Sequence, residues 1–146
     1  MSSPSLPPQS ERSKFPGMRP REAEVMRRWL REFEGAYDQF EYNVRIGPSR
    51  DLGPGYPDYV RKTAMMSSQL RLDAIAWNGT QATLVELKQK AWALGVQQLA
   101  LYGAVWAAEN PQLPKPKLLL VCARTEVGVM ETAAAAGVTV HVVTGA

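Results

Sequence analysis

The dipeptide Asn78-Gly79 constrains this chain more than any other short stretch, because it lies between two apolar, alternating runs. A two-residue hairpin turn of type I′ needs a positive φ at both central positions, and Asn-Gly supplies this pair of conformations most readily. The sequence therefore predicts an antiparallel hairpin with strands Leu70–Trp77 and Gln81–Lys88.

A two-residue turn at this position also predicts the register of the hairpin. Asp73 should face Leu84, and Arg71 should face Glu86. Opposite residues share a face of the hairpin, as do residues two apart on one strand. Asp73, Glu86 and Lys88 should therefore project from one side, with the two acidic residues as diagonal neighbours roughly 7–8 Å apart at Cα.

Two carboxylates on a largely apolar surface repel each other, so one takes up a proton unless a cation lies between them. Mg²⁺ or Mn²⁺ suits such oxygen ligands and leaves positions for water and substrate phosphate. Lys88 would add a positive charge beside the metal. This set of groups indicates metal-assisted hydrolysis of a phosphodiester bond. The alternative is a surface strand that merely exposes Glu and Lys, because a Glu-x-Lys tripeptide is common by chance.

A helix predicted after the second strand brings two more polar side chains to this region. Gln98 and Tyr102 are four residues apart, so they lie on one helix face within a strongly apolar segment. Polar groups are unfavourable in such a segment unless they serve a purpose. We therefore expect this helix to form a second wall of the site.

In their order along the chain, Asp73, Glu86-Leu87-Lys88 and Gln98-x-x-x-Tyr102 resemble the PD-(D/E)xK nuclease superfamily. The similarity is to the branch of DNA-repair and recombination nucleases that carries a Gln-x-x-x-Tyr helix after the Glu-x-Lys strand. Leu72 stands where the proline of the superfamily name would be. The resemblance implies a restriction-endonuclease-like fold and a Mg²⁺-dependent deoxyribonuclease.

The resemblance also implies a role for each residue. Asp73 and Glu86 would bind the metal together with the main-chain carbonyl of Leu87, and Lys88 would position or activate the attacking water. The residues expected to shape the site or to touch the substrate are Gln98, Tyr102 and Arg71.

The composition favours a single domain. At 146 residues the chain is long enough for a sizeable core, and its net charge of +3 is compatible with a DNA partner. One cysteine and one histidine leave no internal disulfide and no cysteine-rich zinc or iron-sulfur site. No signal peptide or membrane-spanning run is evident, so we expect a cytoplasmic location.

The first 20 residues contain five of the eleven prolines together with five serines. This composition is typical of a flexible or polyproline-like arm, through which the chain could dock to a second copy or to a larger assembly. Residues 21–146 are then expected to form one nuclease-like α/β domain.

A first helix is predicted from Pro20 to about Glu34, and it places Glu22 in the middle of its apolar stripe. Many members of the superfamily contribute an acid to the site from this helix, so Glu22 is a candidate further metal ligand. A carboxylate that is favoured by the positive helix N-terminus is the alternative.

The remaining elements complete the predicted fold. They are a strand at 40–46, a loop containing Arg50 that could meet substrate, a short helix at 57–66, a strand at 117–123, a helix at 126–136 and a strand at 138–143. This order predicts an α/β fold with a mixed central sheet flanked by helices.

Three functions are open from the sequence. The first is a metal-dependent nuclease that hydrolyses phosphodiester bonds in DNA. The second is a catalytically idle subunit of nuclease fold with a structural or assembly role, for example in a phage particle, which would place it in the virion. The third is a regulatory module whose salt-sensitive DNA binding needs no divalent metal.

Overall fold

A five-stranded sheet forms the centre of the chain in the computed structural model, which describes residues 8–47, 52–62 and 70–143. The helices are α1 (Pro20–Phe33), α2 (Ala93–Glu109) and α3 (Val129–Ala136). The strands are β1 (Gln39–Ile46), β2 (Leu70–Asn78), β3 (Gln81–Ala91), β4 (Lys117–Thr125) and β5 (Thr139–Val142).

The sheet is mixed, with strand order β1-β2-β3-β4-β5. The first three strands are antiparallel neighbours, whereas β3, β4 and β5 run parallel to one another. Parallel neighbours need a crossover connection, and α2 and α3 provide the two crossovers. Helix α1 packs on one face of the sheet, and α2 and α3 pack on the other. The predicted α/β fold with a mixed sheet flanked by helices is confirmed.

The hairpin of β2 and β3 forms, but the predicted register is wrong by two positions. Leu84 lies opposite Ile75, whereas it was predicted to lie opposite Asp73. Continuing the observed pairing sets Asp73 opposite Glu86. Because a shift of two leaves every side chain on its original face, the acidic residues still share the predicted face.

The shift arises because the turn is centred on Gly79-Thr80 and not on Asn78-Gly79. Asn78 pairs with Gln81, and the backbone of Gly79 has φ +59°. Among the described residues other than glycine, only Asn43 has a positive φ, so Thr80 lies in the ordinary region. A positive φ at the first central position alone is the pattern of a type II′ turn, which needs glycine only there.

At Asn43 and Asp73, the side chains of β1 and β2 stop alternating regularly between the two faces of the sheet. Asn43 has φ +54°, and the main-chain pairing skips these two residues while it continues in one register on both sides. Residues two apart on a strand normally share a face. Here the flanking pairs pack on opposite faces, with Tyr42 and Ala74 on the α1 side and Val44 and Leu72 on the α2 side.

The N-terminal Pro/Ser-rich segment packs against its own chain from residue 8 onwards. Phe15 is only 3% exposed and belongs to the core beneath α1. Glu34 accepts hydrogen bonds from the Gln9 N–H at 2.7 Å and from the Ser10 hydroxyl at 2.6 Å. The Tyr42 hydroxyl donates to Gln9 Oε1 at 2.7 Å. These contacts attach the described part of the segment to α1 and β1.

Other boundaries differ slightly from the predicted ones. Residues 58–62 are helical, whereas the rest of the helix predicted to 66, and the loop residue Arg50, lie outside the described residues. Helix α3 begins at Val129 because β4 continues to Thr125 and the Glu126 N–H still donates to the Ala91 carbonyl. None of the helices in the described ranges has both the length and the apolar character of a membrane span.

Candidate active site where strands β2 and β3 diverge

A cavity of about 360 Å³ opens where β2 and β3 stop pairing, between α1 and α2. Its walls bring together seven residues that were predicted from the sequence. They are Glu22, Arg71, Asp73, Glu86, Lys88, Gln98 and Tyr102. The side chain of the eighth predicted residue, Leu87, is buried on the α1 side of the sheet, so only its main chain is available to the site.

Asp73 fastens β2 to β3 at the point where the main-chain ladder ends. The main-chain ladder of the two strands ends at the pair Ala74–Val85, and one position further along β2 Asp73 Oδ2 accepts a hydrogen bond of 2.8 Å from the Leu87 N–H. The N–H and C=O of one strand residue point towards the same neighbouring strand. The Leu87 carbonyl is therefore directed towards Asp73, whose carboxylate also shares a hydrogen bond with Glu86.

Glu86 is a carboxyl buried in this cavity, with only 5% of the residue exposed. Burial, followed by the hydrogen bond and the charge of Asp73, raises the pKa of Glu86 to about 9. The positive charge of Lys88 opposes this shift, and the negative charge of Glu22 adds to it. The pair of acids therefore retains a proton at neutral pH unless a cation compensates the second negative charge.

The predicted second wall is formed by Gln98 and Tyr102 on α2. The Gln98 amide donates a hydrogen bond of 2.8 Å to the Tyr102 hydroxyl oxygen. Burial, and then the charge of Glu86, raises the pKa of Tyr102, which keeps the phenol protonated. Since its oxygen already accepts from Gln98, the Tyr102 hydroxyl can donate its hydrogen into the cavity.

Arg71 lines the cavity, but its predicted partner is wrong. The observed pairing of β2 with β3, when it is extended, sets Arg71 opposite Lys88 and not opposite Glu86. On the other side of β2, Arg71 pairs directly with Arg45 of β1. Arg71 and Lys88 both line the cavity, so two basic side chains lie at this edge.

The groups that could hold a metal here are two carboxylates and one main-chain carbonyl. Within the described ranges, no group of three or more Asp, Glu, His or Cys side chains is placed to hold a metal ion. Glu22 lines the cavity from α1 but does not complete such a group with Asp73 and Glu86. Two carboxylates with a main-chain carbonyl nevertheless fit Mg²⁺, which commonly takes one or two protein carboxylates and keeps several waters.

Three further lining residues were not predicted as part of the site: Gly17, Asn43 and Leu70. Gly17 belongs to the N-terminal segment, where composition alone gave no reason to expect a site residue. Asn43 carried a weak signal, because asparagine is uncommon in strands and adopts positive φ more readily than most residues.

The fold is similar to that of two proteins of known structure. The apo form of EndoMS gives a TM-score of 0.48 at 14% identity, over 86% of this chain and 47% of that chain. AF1548, a protein of unknown function, gives a TM-score of 0.41 at 12% identity, over 80% of this chain and 54% of that chain. This chain thus spans about half the length of each.

Comparison of the sequence with protein-family models gives no match, and no curated protein matches it.

Proposed function

We propose that this chain is a metal-dependent nuclease that hydrolyses phosphodiester bonds in DNA. The supporting observation is that one cavity contains the two acids, the lysine and the Gln-x-x-x-Tyr helix that resemble a nuclease signature in sequence. Asp73 and the buried Glu86 repel each other when both are ionised. A divalent cation would relieve this repulsion.

Three groups of the chain would hold that cation: the Asp73 carboxylate, the Glu86 carboxylate and the Leu87 carbonyl. All three are hard oxygen ligands, as Mg²⁺ and Mn²⁺ prefer. When bound, such an ion polarises a phosphate oxygen and makes water more acidic.

The remaining side chains of the cavity would act on the substrate. Lys88 provides a positive charge that can orient a water molecule and stabilise negative charge that develops on the phosphate. The Tyr102 hydroxyl, which is held by Gln98, can donate to a phosphate oxygen. Arg71 is exposed at the cavity and can bind a neighbouring phosphate of the backbone.

Cleavage of labelled DNA by the full chain tests this proposal. Single-stranded, duplex and branched DNA should be compared with Mg²⁺, with Mn²⁺ and with EDTA. We expect cleavage that needs the metal and that is lost in the Asp73→Ala and Glu86→Ala variants. Glu131→Ala is a suitable control, because Glu131 is exposed on α3 and does not line the cavity. If the wild-type chain cuts none of these substrates and binds neither ion, the proposal is wrong.

An assembly role is the second candidate, and exposed apolar side chains on α2 favour it. Leu94 is 75% exposed and Leu101 is 57% exposed, and they border a shallow groove together with Gln97 and Gln98. Exposed apolar patches commonly mark protein contacts. For an idle assembly subunit, Asp73→Ala should leave complex formation intact, whereas Leu101→Glu should abolish it. Analytical ultracentrifugation would measure both effects.

A further inference from the structure

Asn43 combines an unusual backbone conformation with a position at the candidate site. Its φ of +54° is the only positive value among the described residues other than glycine. A single residue in this region is unfavourable within a strand and persists where the surrounding structure enforces it. Such residues concentrate at functional sites. The conformation therefore calls for an explanation in terms of what Asn43 does.

The surroundings of Asn43 fix its side chain beside the acids. The residue lies between the pairs Tyr42–Ala74 and Val44–Leu72, which places it across from Asp73, and both Asn43 and Asp73 line the cavity. The positive φ of Asn43 coincides with the change of packing face described above. As a result, a polar side chain of β1 borders the same cavity as Asp73.

Gly17 of the N-terminal segment closes over this side chain. A Cβ atom at Gly17 would lie 2.7 Å from Asn43 Oδ1 and 2.9 Å from Asn43 Cγ, and the backbone of Gly17 has φ +76°. No other residue type fits here without moving the carboxamide. Gly17 also lines the cavity, so the segment before α1 contributes to the wall that holds Asn43.

We propose that Asn43 contacts the substrate by donating its carboxamide N–H to the DNA backbone next to the bond that is cut. This inference rests on the proposed function and extends it to a residue that was not predicted as part of the site. A carboxamide suits this place because it offers two donors without a charge. It can therefore bind a phosphate or sugar oxygen beside two acids, and such backbone contacts orient the nucleic acid.

A purely structural role for Asn43 predicts a different response to substitution. If only the positive φ matters, glycine should replace asparagine without loss, because glycine adopts that conformation freely. If the carboxamide binds DNA, glycine should preserve the fold but weaken binding. Asn43→Asp keeps the size and the tolerance of positive φ, yet it replaces the donors with a negative charge.

The affinity of the full chain for labelled DNA separates these roles. Fluorescence anisotropy should be measured with single-stranded and duplex oligonucleotides, with Ca²⁺ in place of Mg²⁺ so that binding is observed apart from cleavage. We expect about ten-fold weaker binding for Asn43→Gly and a larger loss for Asn43→Asp. The Ca²⁺ affinity and the melting temperature of Asn43→Gly should remain close to wild type. Asn78→Gly, at the far end of β2, is the matched control and should bind as wild type does.

The outcomes distinguish this inference from the proposed function. Wild-type affinity in Asn43→Gly overturns the role of Asn43, even when the wild-type chain cuts DNA. Absence of DNA binding by the wild-type chain overturns both. If wild-type protein binds DNA but does not cut it, the proposed function fails, and weaker binding by Asn43→Gly would still support the contact. Gly17→Ala should also weaken DNA binding, though less than Asn43→Gly does, because the added methyl group displaces the Asn43 carboxamide.

Discussion

The carboxylate of Asp73 accepts a hydrogen bond of 2.8 Å from the main-chain N–H of Leu87, across the gap between β2 and β3. This bond from a side chain takes over where the main-chain ladder ends. Asp73 therefore has two roles. It stabilises the pairing of β2 with β3, and it places a carboxylate in the cavity.

Substitutions of Asp73 should separate these two tasks. Asp73→Asn retains an oxygen that can accept from Leu87 and loses the charge, so it should be at least as stable as wild type. Asp73→Ala leaves a buried N–H without its partner and should lose about 1–3 kcal/mol of unfolding free energy. Both variants should lose metal-dependent cleavage. Urea denaturation in EDTA measures the stabilities, and equal values for the two variants would contradict the fastening role.

Glu86 should make the stability of the metal-free protein depend on pH. Burial and Asp73 raise the pKa of Glu86 from 4.5 to about 9, so between these values the folded chain holds a proton that the unfolded chain releases. Stability should therefore fall as pH rises through this window, by at most ~1.4 kcal/mol per pH unit.

Glu86→Gln provides the comparison, because glutamine has no proton to exchange in this range. The variant should show a flatter stability curve in EDTA and should exceed wild type increasingly towards pH 9. Saturating Mg²⁺ should stabilise wild type at high pH and leave the variant nearly unchanged. Parallel curves for the two proteins in EDTA would refute the assignment of the buried proton to Glu86.

Lys88 and Lys90 lie on the same strand but should differ in their effect on cleavage. Lys88→Met should reduce cleavage by at least about 100-fold, because it removes a positive charge from a site where negative charge develops. Lys90 forms an ion pair with Glu126 and lies 4.8 Å from the Trp92 ring centroid. Lys90→Met should lower the free energy of unfolding by less than about 1 kcal/mol. Its cleavage rate should stay near that of wild type. Single-turnover rates would test the contrast, and similar losses in both variants would argue against a specific role for Lys88.

Glu34 should control how firmly the N-terminal segment is attached. Its carboxylate accepts from both Gln9 and Ser10, so Glu34→Ala should destabilise the protein by about 1–3 kcal/mol. Limited proteolysis should then cut within residues 8–18 faster than in wild type. Glu32→Ala is the control, since Glu32 is exposed and its nearest ion-pair distance is 3.7 Å, to His141. Unchanged cleavage in Glu34→Ala would show that other contacts suffice.

The shared face of the acids could be predicted from sequence, whereas the register of their hairpin could not. A shift of two positions preserves the face of every side chain. Asp73 and Glu86 therefore share a face, as predicted, although the turn was placed one residue too early. The turn itself is influenced by a distant contact, because the Gly79 N–H donates to Asp38 Oδ2 at 2.8 Å. A contact between residues this far apart along the chain is not visible in the local pattern.

The walls of the cavity were only partly visible in the sequence. Gln98 and Tyr102 follow from helical spacing alone, because residues four apart on a helix are neighbours. In β2 the large apolar residues lie at even-numbered positions up to Leu72 and at odd-numbered positions from Ile75 onwards. This change marks the irregularity at Asp73. Strand β1 shows no such change, so Asn43 could not be placed at the site from its pattern. The contribution of Gly17 depends on tertiary packing of the N-terminal segment.

The central position of β3 has a consequence for motion at the site. This strand carries Glu86 and Lys88 and has neighbours on both sides, so its amide hydrogens should exchange with solvent among the slowest in the chain. The segment containing Gly17 lies outside the sheet, where Phe15 and the hydrogen bonds to Glu34 hold it, and it should open more often than β3. Motion of the segment containing Gly17 should therefore regulate access to the cavity, while Glu86 and Lys88 on β3 stay in place.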